Sequence, residues 1–389
     1  MSSTVEIFLF ADAMGWEVVE ANDFLKDLLP YRRCISMQFG YSSSAIPTIL
    51  SGKSPAVHGH LGLFRFAPTQ SPFRWMRWLG PLFRPTSLWN RGRIRHWLSW
   101  LIGRLHGFTG YFQLYRVPFD RLPLMDYCEK KDLFVAGGME LVENLADLLS
   151  RSGRQFHISN WRLNDQRNIA EAQAVLAKGA EFLFIYTAGL DAVLHRSPDP
   201  KSEAVKAKLE WYRREIEALL ETCRKIGQVP RLTVFSDHGM TPLRRTVDLK
   251  TAVEATGLVF GRDYGACYDS TMFRVDFLKA NAEATIRAAL KPFEACGHWL
   301  SEAEERAYGI YREDRWFGDA IFLMNPGVQI VPSDMAAKPL PGMHGYAPED
   351  RNSYAAILSN AEIPPEVQHV SDYFQLMRQH LPKSTVQSL

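Results

Sequence analysis

Residues 231–240 read RLTVFSDHGM, an apolar run that stops at an Asp–His pair and a glycine. Such a run is either a buried strand entering a turn or half of a metal site. One Asp–His pair does not separate the two readings. What separates them is whether other strands end the same way, and whether the rest of the chain supplies matching ligands.

Two other runs do end the same way. Residues 5–15, VEIFLFADAMG, and residues 180–191, AEFLFIYTAGLD, are short, β-branched and aromatic, and each runs out into an aspartate. Continuous apolar runs of this kind suit parallel strands buried on both faces. RQFHISNW (154–161) reads as a further strand. Between the runs lie segments of helical period: MELVENLADLLSR (139–151), NIAEAQAVLAKG (168–179) and KSEAVKAKLEWYRREIEALLETCRKIG (201–227). Gly179 and Gly227 mark helix ends. Alternating strands and helices predict an α/β fold with a mostly parallel central sheet covered by helices on both faces. The expected organisation is a single catalytic domain over residues 1–389.

Two stretches depart from that alternation. Residues 256–320 are expected to form a smaller, partly antiparallel α+β insertion, with STMFRVDF and DAIFLMNPGVQIVP as strands around the helix NAEATIRAALKPF. Residues 61–127 are expected to form an inserted cap. From Arg65 to Arg121 there are ten Arg, no Lys and one acid, Asp120, together with five of the ten Trp. Arg and Trp without acids suit an anionic, partly apolar ligand, so residues 65–121 are a candidate for peripheral membrane contact. The plainer reading has the Trp packing a small helical subdomain with Arg solvating its outside.

The bulk numbers exclude several classes. A net charge of +2 over 389 residues gives no polyelectrolyte signal, and no nucleic-acid-binding module is recognisable. No apolar run reaches the roughly 20 residues needed to span a bilayer. The first residues read as a strand, and the five cysteines are scattered without a CxxC, so reduced thiols and a cytoplasmic location are expected.

The strand-end acids are Asp12, Asp191 and Asp237. In an open parallel sheet ligands bind beyond the carboxyl ends of the strands, so the three can converge. Asp191 is followed four residues later by His195, a spacing that places both on one helical face. His238 adjoins Asp237, and His344 sits in the glycine-flanked turn GMHGY. Three Asp and three His form an oxygen and nitrogen donor set that suits Zn²⁺. Each piece has an ordinary alternative: a helix cap, a surface pair, a structural turn histidine. The combination favours a two-metal site. A nucleophile is available in GYSSSAIPTILSGKSPAVHGH (40–60), where Ser42, Ser43 and Ser44 precede a helix. A helix N-terminus offers unpaired N–H groups to a phosphate, although simple capping also accounts for a serine there.

Taken in order, FADAMG, SSSAIPTILSGKSPAVHGH, YTAGLDAVLH, VFSDHGM and GMHGYAPED resemble the alkaline phosphatase superfamily, and within it the nucleotide pyrophosphatase/type I phosphodiesterase branch. The resemblance implies one zinc ion held by Asp12, Asp237 and His238, with Ser42 as an exchangeable ligand, and a second held by Asp191, His195 and His344. The family's interval before a TG-like pair, here Ser51–Gly52, selects Ser42; Ser43 and Ser44 stay open. Serine stands where threonine is common, and Leu194 where glycine is usual. Ser44 and Ile46 occupy the positions where sulfatases carry Pro and Arg, which disfavours that branch. No asparagine is assignable to the phosphoryl oxygen, Asn90 being a candidate by position alone.

The resemblance further implies metal-dependent phosphodiester cleavage through a phosphoseryl intermediate, on a lipid-linked or nucleotide-type substrate. Two zinc ions against three carboxylates and a serine alkoxide leave the site near neutral, which favours a diester monoanion. The alternatives are transfer of a phosphoethanolamine or phosphoglycerol group to a glycan or lipid, and a non-catalytic membrane-binding protein on the same fold.

Overall fold

The computed structural model describes residues 4–83, 89 and 91–381. Its centre is a six-stranded sheet of β1 (Thr4–Ala11), β2 (Tyr31–Ile35), β3 (Phe156–Ile158), β4 (Phe182–Thr187), β5 (Val229–Phe235) and β6 (Ala355–Ser359), in the order β2-β6-β5-β1-β4-β3. β1 lies parallel to β4 and β5, and β3 parallel to β4, while β6 is antiparallel to both its neighbours. The expected α/β class and mostly parallel sheet are therefore present, with one reversed strand.

Both faces of the sheet are buried, and the strand period of two gives each face its own chemistry. Val5, Ile7 and Leu9 of β1 join Leu183 and Ile185 of β4 in one largely aliphatic core. Phe8 and Phe10 point the other way, with Phe182, Phe184 and Phe235, into an aromatic core where Phe10 stacks on Phe235 at 5.3 Å. The helix Glu203–Lys225 closes the aliphatic side by burying Val205, Leu209, Tyr212, Ile216, Leu219 and Cys223, a helical stripe capped by Ser202.

One helix is shorter than its apolar spacing suggests. Residues 139–144 form an irregular, bent stretch, and the helix runs only over Leu145–Arg151. Asn144 and Asp147 form a reciprocal capping box there, and that local bonding fixes the start.

The two insertions are separately organised. Phe64–Phe66 pairs antiparallel with Met125–Tyr127, which clasps the two ends of the basic stretch together. Inside it, the helix Gly92–Leu105 packs Leu98 and Ile102 against Phe73, Met76, Leu114 and Val117. The other insertion is a four-stranded sheet that is wholly antiparallel and runs on to Met324, past the expected bound at 320. Among the described residues no helix is long and apolar enough to cross a membrane, and the five cysteines are unpaired.

Candidate active site

Strand register brings the acids together. Phe10 pairs with Phe235 and Ala11 with Thr187. Asp12 and Asp237 therefore each lie just past their strand ends, on adjacent strands at the sheet's centre. Asp191 follows β4 in the short helix Gly189–Leu194, with His195 as its C-cap. Because β6 runs backwards, the loop that precedes it, with His344, arrives at the same edge.

Close backbone packing holds these ends in place. A Cβ on Gly239 would lie 2.2 Å from the Asn352 carbonyl, so the chain after His238 can turn only with glycine there. Gly345 adopts φ +90°, and a Cβ on it would meet the Tyr41 ring at 2.6 Å. Ala13 adopts a left-handed φ of 62° and donates its N–H to Asp237 Oδ1 at 3.2 Å.

The polar atoms form two overlapping clusters, Asp12 with Asp237 and His238, and Asp191 with His238 and His344. Within them His238 Nε2 lies 3.6 Å from Asp12 Oδ1 and 3.3 Å from Asp237 Oδ2. The rings of His238 and His344 stack at 3.8 Å, which is how His238 enters both clusters. His195 Nε2 is 3.3 Å from Asp191 Oδ1, beside the second cluster and outside its tightest group. All six residues expected from the sequence thus lie at one sheet edge, with His238 shared between two groups.

Second contacts orient the ligand atoms. His195 Nδ1 faces the Gly342 carbonyl at 2.9 Å and His238 Nδ1 the Gly239 carbonyl at 2.8 Å, so each presents Nε2 to the cluster. The Tyr186 hydroxyl donates to Asp12 Oδ2 at 2.7 Å. Sequence reasoning passed over Tyr186, whose signal is a phenol inside a buried strand, where the hydroxyl needs a partner.

The donor set fits divalent metal ions. Asp12 Oδ1, Asp191 Oδ1, Asp237 Oδ2 and His344 Nδ1 are buried without a hydrogen-bond partner among the described residues. Burial, and then the Asp237 and Asp191 carboxylates, pushes Asp12 well above the usual carboxylate range. Burial raises Asp237 too, with His238 opposing it. Burial and the neighbouring His238 and His195 hold His344 well below the usual histidine range, as an unprotonated donor. Crowded carboxylates without a cation are costly, and a cation relieves that cost.

Ser42 opens the helix Ser42–Ser51, and its Oγ lies 3.1 Å from His238 Nε2. Ser44 is fully buried, and its hydroxyl donates to the Phe39 carbonyl at 2.8 Å. Ser43 Oγ is buried with no partner among the described residues. His58 packs inward, its Nε2 3.0 Å from Thr48 Oγ1, away from the clusters. Asn90 lies outside the described residues.

A cavity of about 570 Å³ opens on Asp12, Ser42, Asp191, His195 and His344. Its walls include Ile46, Tyr111, Tyr115, Leu133, Phe134 and Trp161, and Tyr111 and Tyr115 come from the basic insertion. Most of the lining is apolar, as in many small-molecule sites.

Residues 11–347 match the family model for type I phosphodiesterase / nucleotide pyrophosphatase. No curated protein sequence matches the chain. Among solved structures, human ectonucleotide pyrophosphatase / phosphodiesterase 5 is similar at 13% identity and TM-score 0.66, over 97% of this chain and 94% of that one. The murine protein covers the same shares at 13% identity, with TM-score 0.65, and an inactive murine variant in complex with AMP gives 0.63. At that identity the likeness speaks for the fold, and the family match speaks for the chemistry. The chain belongs to the type I phosphodiesterase / nucleotide pyrophosphatase family of the alkaline phosphatase superfamily, a metal-dependent family, and is a phosphoric diester hydrolase.

Proposed function

We propose that the protein cleaves phosphodiesters through a phosphoseryl intermediate on Ser42, at a site that takes two zinc ions. The carrying observation is Ser42 Oγ at 3.1 Å from His238 Nε2, at the start of a helix and at the mouth of the cavity. Asp12, Asp237 and His238 would hold one ion, and Asp191, His344 and His195 the other. Bound there, such ions supply Lewis-acid charge and lower the pKa of a coordinated hydroxyl.

The chain's own residues do the rest. In the first turn of the Ser42–Ser51 helix the N–H groups of Ser44 and Ala45 donate to the Tyr41 carbonyl at 2.7 and 2.9 Å, which leaves those of Ser42 and Ser43 to donate to a phosphoryl oxygen. Deprotonated Ser42 Oγ forms a bond to phosphorus as the ester bond to the departing alcohol breaks, and that alcohol takes up a proton. Water then attacks the phosphoserine, releasing a phosphomonoester and restoring the serine. Tyr186 keeps Asp12 oriented throughout.

Diester preference follows from the cavity's charges. Of the described residues lining it, Arg162 has the one guanidinium, and that group is engaged by Asp132 at 3.3 Å and by the Thr109 carbonyl. Little cationic charge remains for the second negative charge of a monoester dianion. The aromatic and aliphatic walls suit a substrate with an apolar or planar part, of nucleotide or lipid-linked type. An alcohol in place of water would make the same site a phosphoryl-group transferase.

Comparing bis-p-nitrophenyl phosphate with p-nitrophenyl phosphate, for the wild type and Ser42→Ala, tests the reading. Diester preference and loss of turnover in the variant are expected. Monoester preference overturns the substrate class. Full activity in Ser42→Ala overturns the nucleophile.

We also place the protein in the cytoplasm, at an anionic lipid surface. Its unpaired cysteines fit a reducing compartment. On the insertion, Trp75, Trp78, Trp97, Trp100 and Leu105 are exposed, with Arg74, Arg77, Arg93 and Arg104 exposed among them.

A further inference from the structure

Asp191 is carried on a helix of only six residues, Gly189–Leu194, that supplies no side-chain cap of its own. Ala188 stands at the N-cap position, where its methyl group accepts no hydrogen bond. The cap comes from a different element. Asp165, the first residue of the helix Asp165–Leu176, turns its carboxylate onto this turn. Its Oδ1 accepts the Ala188 N–H at 2.9 Å, and the Gly189 N–H reaches Oδ1 at 3.2 Å and Oδ2 at 3.0 Å. Hydrogen bonds to an ionised acceptor are roughly twice as strong as neutral ones.

The fit is close, and the acid is itself held. A Cβ on Gly189 would lie 2.3 Å from Asp165 Oδ2 and 2.9 Å from Lys208 Nζ, so a side chain there would push the carboxylate away. Lys208 Nζ donates to Asp165 Oδ2 at 2.7 Å and lies over the rings of Trp211 at 3.7 Å and Tyr212 at 4.9 Å. Both partners of this ion pair are largely buried, at 17% and 12% side-chain exposure. A buried ion pair gains little stability over apolar packing, so its place directly before a metal ligand calls for another reason.

The end of β4 is tied down by the same neighbours. Asn168, one helical turn after Asp165, donates Nδ2 to the Tyr186 carbonyl at 3.0 Å. The Tyr212 hydroxyl donates to Thr187 Oγ1 at 2.9 Å, and that hydroxyl donates to the Phe10 carbonyl at 3.0 Å. With the strand end fixed, the direction of the short helix decides where Asp191 lies. Asp191 Oδ1 is 3.3 Å from His195 Nε2 and 3.9 Å from His344 Nε2, distances that a small tilt of the helix would change.

Resting on the two-metal reading above, we propose that Asp165, oriented by Lys208, is the positioning residue for Asp191. It caps the short helix from outside, so that Asp191 and His195 face His344, and it thereby sets the metal affinity of that group. Asp12, Asp237 and His238 hang from β1 and β5 and do not depend on it.

The test is zinc titration of the full-length protein against a competing chelator, resolved into two equivalents. Asp191→Asn identifies the equivalent that belongs to the Asp191 group. In Asp165→Ala that equivalent should weaken roughly tenfold or more, while the other changes by less than about threefold. Asp165→Asn keeps an oxygen for both N–H groups and should recover most of the loss. A cap that serves stability alone would lower Tm and leave the two affinities unsplit, so equal loss in both equivalents, or no loss, overturns the proposal. Should Asp165→Ala not fold, Gly189→Ala must show the same split, and an unsplit titration there overturns it. Hydrogen exchange on the metal-free protein reads the positioning apart from the metal. Amides 190–195 should exchange faster in Asp165→Ala while those of β1 and β5 keep the wild-type rate; unchanged exchange at 190–195 also overturns the proposal. If the wild type binds fewer than two zinc ions, the two-zinc reading fails, and exchange alone decides whether Asp165 sets the helix.

Discussion

Ser42 Oγ lies 3.1 Å from His238 Nε2, joining the first residue of one helix to the end of a central strand 196 positions later. Neither neighbouring serine makes that contact. Ser44 is tied to the Phe39 carbonyl, and Ser43 Oγ is buried without a partner among the described residues. Ser42→Ala should lower diester turnover by at least roughly 10³-fold, since a nucleophile and the groups that activate it act as a unit. Ser44→Ala should instead cost about 1 kcal/mol of stability and retain most activity. Steady-state rates and melting curves on the three single alanine variants decide it, and a dead, fully stable Ser43→Ala beside an active Ser42→Ala would move the nucleophile.

Tyr186 makes a second prediction. Its hydroxyl donates to Asp12 Oδ2 at 2.7 Å, and its ring packs on Phe10 and Phe134. Tyr186→Phe keeps the packing and frees Asp12 to rotate. Groups that orient metal ligands typically change affinity or activity by about 10–100-fold. Zinc titration against a competing chelator should show weaker binding in Tyr186→Phe at an almost unchanged Tm. Unaltered zinc affinity would reduce Tyr186 to a packing residue.

These two residues also mark how far the sequence could be read. Asp12, Asp191 and Asp237 were legible because a strand end is a local event, written as an apolar run followed by an acid. That the three strands are neighbours in register is not local, yet the rule that ligands gather beyond the carboxyl ends of parallel strands supplied it. The sharing of His238 between two clusters was not legible, since it depends on His344 stacking against it from a loop whose path is set by the reversed strand β6. Tyr186 and Asp165 were passed over for a related reason. A phenol in a strand and an aspartate opening a helix look ordinary until burial and partners are known. Helical spacing over 139–151 misled because the Asn144 capping box, a local hydrogen-bond choice, outweighed the apolar pattern before it.

Glu129 links stability to pH in a direction that can be worked out. In the unfolded chain a glutamate titrates near about 4.3. In the folded chain burial raises Glu129 to about 8. Across that window the folded state binds the extra proton, so the contribution of Glu129 to stability is present at low pH and is lost as pH rises through the folded value. The Glu129→Gln variant, with a neutral amide at every pH, would carry no such loss. Its Tm relative to the wild type should therefore climb as pH rises from about 5 to about 8, and level off above that. A difference in Tm that stays flat with pH would show that Glu129 titrates normally.

The outer surface of the basic insertion carries the last prediction. On the helix Gly92–Leu105, Arg93, Trp97, Trp100 and Arg104 follow one another at spacings that share a face, opposite the buried Leu98 and Ile102. Trp97 is 55% exposed, Trp100 58% and Trp78 80%, so these rings do not serve the insertion's own core. Arg104 lies over Trp100 at 5.9 Å and Arg77 over Trp78 at 5.6 Å, with no acid from residue 66 to residue 119. Amphipathic rings beside unopposed guanidinium groups match an anionic bilayer surface, where the ring enters the interface and the cation stays at the head groups. The same insertion supplies Tyr111 and Tyr115 to the cavity, so docking would bring the site close to any diester carried in the bilayer. Co-sedimentation with vesicles containing about one-third phosphatidylserine should exceed that with neutral vesicles and weaken as salt rises. The Trp97→Ala/Trp100→Ala double variant should lose roughly tenfold in binding while cleaving a soluble diester at the wild-type rate. Equal binding to neutral and anionic vesicles would remove the role of the arginines, and capture by RNA in preference to anionic vesicles would assign the surface to a different partner.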